Sequence, residues 1–266
     1  MIDKEHELSA EQQPGSKIIF PSIGRDGTIL LFSVVAGSTD SISYLGLGHV
    51  FTANMTGNTV LLGLALGRGQ APAEIRSFMA LIGFVLGALV GAIITERDQE
   101  HTLWNGPMTG SMLLEGVILA AFAVMWYFIG AEAIPVITYA LILLSGLAMG
   151  IQSVTIHRLR ISGVATTYIT GTLTTLVTGL VNWLHVTHPG WFAVGRRGIT
   201  RAPEPYVQHS LRVLGIQAAV WIVYALSAIA TGVLGVHSLV IVVWLPVVAI
   251  AIVIANALIH RYSLSR

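Results

Sequence analysis

The feature that most constrains this chain is a recurrence of apolar runs, most of them roughly 18 residues or longer and nearly free of charge. At 1.5 Å per residue, such a run crosses a hydrocarbon layer about 30 Å thick. Eight runs can be drawn, at about 27–48, 52–67, 77–95, 109–130, 134–156, 165–186, 210–234 and 238–259. They are continuous and do not alternate with a period of two. Lipid allows only helices or closed barrels to satisfy the backbone, so helices are expected. The predicted fold is all-α, a polytopic membrane helical bundle of about eight spans. Composition agrees, with 54% hydrophobic and 10% charged residues, where soluble domains carry about 25% charged.

Residues 1–26 hold Lys4, Glu5, Glu7, Glu11, Lys17, Arg25 and Asp26 and lack the apolar core of a cleaved signal, so they read as a polar cytoplasmic tail. The chain has no cysteine, which excludes disulfides, thiol catalysis and Cys-ligated metal. A net charge of +1 gives no reason to expect a nucleic-acid partner. If all eight spans cross, both termini share one side. That side then holds 11 of the 14 Lys and Arg, including Arg68 and Arg76, and is expected to be cytoplasmic. The exceptions are Arg97, which has acidic neighbours, and the pair Arg158 and Arg160, which has none.

The chain also matches itself at a shift of 114 residues: Thr39-Asp40-Ser41-Ile42 lies against Ser153-Val154-Thr155-Ile156, and Thr56-Gly57 against Thr170-Gly171. Two four-helix repeats are expected, at 27–130 and 134–260, with 187–208 as a cytoplasmic loop inserted in the second. With all spans crossing, the two repeats have the same orientation. Span 2 is the weak point, because about 16 residues reach only ~24 Å, and a re-entrant span 2 changes the class of symmetry.

Against this background the polar residues stand out. Asp40 lies just past the middle of span 1, where an acid costs roughly 2.5–3.5 kcal/mol to insert and is usually turned toward a cavity or a partner. Glu115 is the second acid within a span. Both are candidates for proton or ion coupling, and Arg158 and Arg160 are candidate charge partners of Asp40. The Gly37-Ser38-Thr39 run suggests that span 1 is broken or ends early. Asn54, Thr56 and Asn58 at the start of span 2 can then cap its N-terminus or contact a solute, as can Gln152 and Thr170 in the second half. The competing reading makes these residues helix–helix glue. Gly83, Gly87 and Gly91 form a flat packing face, and Pro246 is expected to kink span 8. No H-E-x-x-H, G-x-S-x-G or P-loop is present, and the nine histidines show no ligand spacing. No enzyme, metal or cofactor is therefore expected.

The stretches "AGSTDSISYLGLGHVFTANMTGNTVLLGLALG" (36–67) and "LAMGIQSVTIHRLRISGVATTYITGTLTTL" (147–176) resemble the YoaK family of bacterial membrane proteins, a domain of unknown function. The resemblance implies a multi-pass protein of the bacterial plasma membrane and names no substrate. Taken with the polar set, the sequence points to a secondary transporter or permease for a small polar solute or ion. The alternative is a non-transporting membrane scaffold or accessory protein.

Overall fold

The computed structural model describes residues 23–96, 106–130, 134–158, 169–188 and 204–264. They form eight helices: α1 (Arg25–Gly46), α2 (Met55–Arg68), α3 (Ala71–Glu96), α4 (Gly106–Ile129), α5 (Pro135–Arg158), α6 (Ile169–Thr187), α7 (Glu204–Val242) and α8 (Trp244–Leu264). The helices sit where the apolar runs predict them, and no strand occurs among the described residues. Five of them are long and apolar enough to cross a membrane: α1, α3, α4, α5 and the Leu211–Val242 part of α7. Their outward faces carry large apolar side chains such as Val85, Val117, Phe128 and Ile229, as lipid-facing surfaces do.

Side-chain contacts give the direction of each helix. We call the end where the chain enters α1 the near end. α7 runs parallel to α1, because Arg212 pairs with Asp26, Tyr224 with Asp40, and Gly37 abuts Tyr224. α4 also runs parallel to α1, with Gly46 packed on the Trp126 ring. α5 is antiparallel to both: Gln152 reaches the Phe32 carbonyl and Ser111 meets Thr155, while Trp126 shares a cluster with Leu141. α3 runs with α5, its Gly83, Gly87 and Gly91 facing the backbone of Leu143, Leu147 and Ile151. α8 returns to the near end, where Asn256 clasps both the amide and the carbonyl of Ile23 at 2.8 Å.

The two short helices behave differently. The chain leaves α1 at Gly46 and turns through Gly48 (φ 81°) and His49 (φ 65°). It then descends again, so that Thr52 touches Ser43 and Asp40, the latter about two turns below the end of α1. α2 therefore starts inside the bundle. Its 14 residues rise about 21 Å to the far end, where Gly69, in the left-handed conformation, and Gln70 join it to α3 as a tight hairpin. α2 is a half-helix that enters and leaves on one side. α6 begins beside Ile29, Met108 and Val220 and passes Leu214 at Gly179, heading for the near end.

Three expectations are corrected by this geometry. The helices that the sequence match would pair, α1 with α5, α3 with α7 and α4 with α8, run in opposite directions, so the shared orientation expected for two repeats does not hold. α1 is continuous, because Ser33, Ser38 and Thr39 each donate to the carbonyl four residues back and do not compete with the helix; it does end at Gly46, two residues before the apolar run. Pro246 does not kink a helix interior: it is the third residue of α8, which begins at Trp244. Lacking an N–H for the Val242 carbonyl, it helps separate α7 from α8. The earlier break at Ser238 is a residue in extended conformation inside α7.

The closest helix pair is α3 with α5. A Cβ at Gly83, Gly87, Gly146 or Gly150 would strike backbone of the facing helix, so the glycines allow the two main chains to touch.

Candidate functional site

α1 brings Asp40 to the start of α2. Asp40 is 4% exposed. Its Oδ1 accepts from three successive amides, Thr52 at 2.8 Å, Ala53 at 2.7 Å and Asn54 at 3.3 Å. Its Oδ2 accepts from the Tyr224 hydroxyl at 2.7 Å. The first amides of a helix point along its axis with no internal partner and carry the positive end of its dipole. Asp40 satisfies the amides leading into α2 as an external anion would.

The asparagines complete the frame. Asn54 is the N-cap of α2, its Oδ1 accepting from Gly57 at 3.2 Å. Asn58 is fully buried; its Oδ1 accepts from the Phe51 amide at 3.0 Å and its Nδ2 donates to the Phe51 carbonyl. Asn58 thus ties the descending strand of chain to the helix it leads into. Thr52 adds a hydroxyl cluster with Ser43 at 3.0 Å and Ser145 at 2.9 Å, which binds this loop to α5. Asn54, Thr56 and Thr59 remain exposed at the mouth of the half-helix.

Asp40 makes no ion pair with Arg158. Gln152 stands level with Phe32, so the last turn of α5 lies beside the start of α1, while Asp40 lies toward the opposite end. Antiparallel packing separates the two residues that a parallel arrangement would bring together. Arg160 lies outside the described residues. Among the described residues the only ion pair is Arg212 with Asp26 at 2.9 Å, on the surface at the near end.

The remaining polar residues divide by depth. Gln152 is buried and donates from Nε2 to the Phe32 carbonyl at 3.0 Å. Glu115 is fully buried on the inner face of α4. Neither of its oxygens has a hydrogen-bond partner among the described residues. Thr170 is exposed in the first turn of α6, on the near-end side, and does not join the Asp40 group. The single polar set expected from sequence is therefore two sets, one around the start of α2 and one at the bundle centre.

Sequence reasoning missed Tyr224, Thr52, Ser145 and the Ser111–Thr155 pair. Nothing local marks Tyr224, in the apolar run "WIVYALSAIA", as the donor to an acid 184 residues away. Among the described residues no group of three or more His, Cys, Asp or Glu is placed to hold a metal ion.

Comparison with known proteins places this geometry in context. Over 146 residues, 55% of this chain, the sequence is 40% identical to the UPF0700 transmembrane protein YoaK of Bacillus subtilis (strain 168). The match spans 63% of that relative's length, less than two thirds. No solved structure matches. The family described as "Protein of unknown function (DUF1275)" matches residues 28–256, nearly every helix named above. The chain belongs to this family of transmembrane proteins.

Proposed function

We propose that the protein is a permease for a small polar solute, built as an inverted repeat around two half-helices. The observation that carries this reading is the start of α2 inside the bundle, its approach amides gathered on Asp40. Half-helices whose N-termini open at mid-depth, within halves of opposite orientation, are how many transporters place a polar site in a membrane. The helix packing supports the repeat. α3 lies on α5 as α7 lies on α1, α4 on α5 as α8 on α1, and α2 on α3 as α6 on α7. Exchanging the first four helices for the last four thus leaves the pattern unchanged.

In this reading Asp40 and Asn58 hold the half-helix, and the exposed Asn54 and Thr56 meet the solute. Thr170 serves the corresponding position in the second half. Because Asp40 already answers the positive end of the helix, the mouth suits a neutral polar solute better than a free anion.

The near end is cytoplasmic in this proposal, in a bacterial inner membrane, with both termini there. Of the 14 Lys and Arg, only Arg68, at the end of α2, and Arg76, near the start of α3, belong to the far end; the rest fall in the near-end portions of the other helices or in the chain before or after them. Arg97, Arg158 and Arg160 then cease to be exceptions.

The test is a thermal-shift screen of the purified protein against small metabolites and ions, repeated with Asn54→Ala and Thr56→Val. A ligand at about 100 times its Kd adds ~2.7 kcal/mol of stability. A hit that weakens in the variants supports the permease. A scaffold is the second reading, favoured by the hydrogen bonds that Asp40, Asn58 and Gln152 all make within the protein. No hit across a broad library would favour it.

A further inference from the structure

We propose that Glu115 is a proton-binding site at the centre of the bundle. The inference deepens the permease reading by assigning the ion that would be coupled to solute movement, and it rests on that reading only for the coupling.

Glu115 sits where α4 crosses the bundle, between Met112 and Leu119, which are both fully buried in the central cluster with Phe32, Val35, Ala148 and Met149. Gly116 beside it packs on Ile250 and Ile254 of α8. Ser111, one turn toward the near end, meets Thr155 of α5 at 2.7 Å. Since α4 and α5 are antiparallel, stepping from Ser111 to Glu115 corresponds to stepping from Thr155 to the turn that carries Gln152. Glu115 is thus level with the Gln152–Phe32 contact, close to where α1 and α5 cross.

An acid at this depth with no donor to either oxygen among the described residues is costly, and Leu or Met would fill the same space. Buried polar groups left unsatisfied in this way call for a functional explanation. α5 carries His157 and Arg158 only in its last turn, and α8 has His260 near its end. α3 has Glu74 and Arg76 near its start and Glu96 at its end. Asp40 of α1 is engaged by its four donors. A proton requires neither a cavity nor a counter-charge, which fits a site this tightly packed.

The neighbouring hydroxyls are committed elsewhere: Thr155 donates to the Ile151 carbonyl at 2.9 Å and pairs with Ser111, so neither reaches the Glu115 carboxyl. Protonation adds one proton to the carboxylate and ionisation removes it; no other bond changes.

The experiment is infrared spectroscopy of the full-length protein in lipid nanodiscs, without solute, following the carbonyl stretch of protonated carboxyl groups as pH is varied. The expected result is a pH-dependent band that is lost in Glu115→Gln and retained in Asp40→Asn. Should Glu115→Gln not fold, Glu115→Asp serves instead, and the expected result is a shifted band. A spectrum with no titrating carboxyl band, or one unchanged by either Glu115 substitution, overturns the proposal. Because no solute is present, a titrating Glu115 in a protein that binds no solute leaves the proton site standing and removes the permease. Solute binding without titration does the reverse.

Discussion

Asp40 of α1 and Tyr224 of α7 are joined by a 2.7 Å hydrogen bond, and the carboxylate that accepts it also holds the amides at the start of α2. One side chain thus links two membrane helices to the half-helix. Removing the phenolic hydroxyl in Tyr224→Phe deletes one donor to a buried carboxyl and should destabilise the protein by about 1.5–3 kcal/mol. Asp40→Ala should cost more, because it leaves several buried amides unsatisfied at once. Thermal unfolding in detergent checks the order: wild type, then Tyr224→Phe, then Asp40→Ala. Equal stability of the two variants would show that the amides do not depend on Asp40.

The glycines provide a paired test. Gly87 faces the Leu147 backbone so closely that no Cβ fits, whereas Gly63 of α2 has open space around it. Gly87→Val should prevent the α3–α5 approach and reduce the yield of folded protein. Gly63→Ala should be neutral or stabilising by up to about 1 kcal/mol, since Ala is the better helix former. Size-exclusion profiles and unfolding midpoints of both variants give the comparison, and similar losses in the two would contradict the packing.

Asn256 closes the near end by pairing with both backbone groups of Ile23. Asn256→Ala removes both bonds and should expose the start of α1 to protease, with a loss of about 1–3 kcal/mol. Limited proteolysis followed by mass analysis would locate the first cut. By contrast, Asp26→Asn, which breaks the exposed Arg212 ion pair, should change stability by less than about 1 kcal/mol.

Orientation can be tested cleanly because the chain has no cysteine. With the near end cytoplasmic, Gln70→Cys in the α2–α3 turn should react with a membrane-impermeant maleimide in intact cells. His188→Cys, after α6, should react only once the membrane is opened. The opposite pattern would invert the protein, and labelling of both residues from one side would show that α2 crosses.

Much of this protein was determined by its sequence alone. The apolar runs set the number and rough limits of the helices, because hydrocarbon accepts little else, and Asp40 and Asn54 were marked as special by their cost at that depth. Their partners were set by tertiary structure. Tyr224 comes from the second half of the chain and has no local signal, and Arg158 stands at the opposite end from Asp40 because α5 runs antiparallel to α1, a direction that is invisible in an apolar run. Whether α2 crosses or turns back depends on where Thr52 and Ala53 find acceptors. Only the folded bundle, by holding Asp40 below the end of α1, decides that they find them within it.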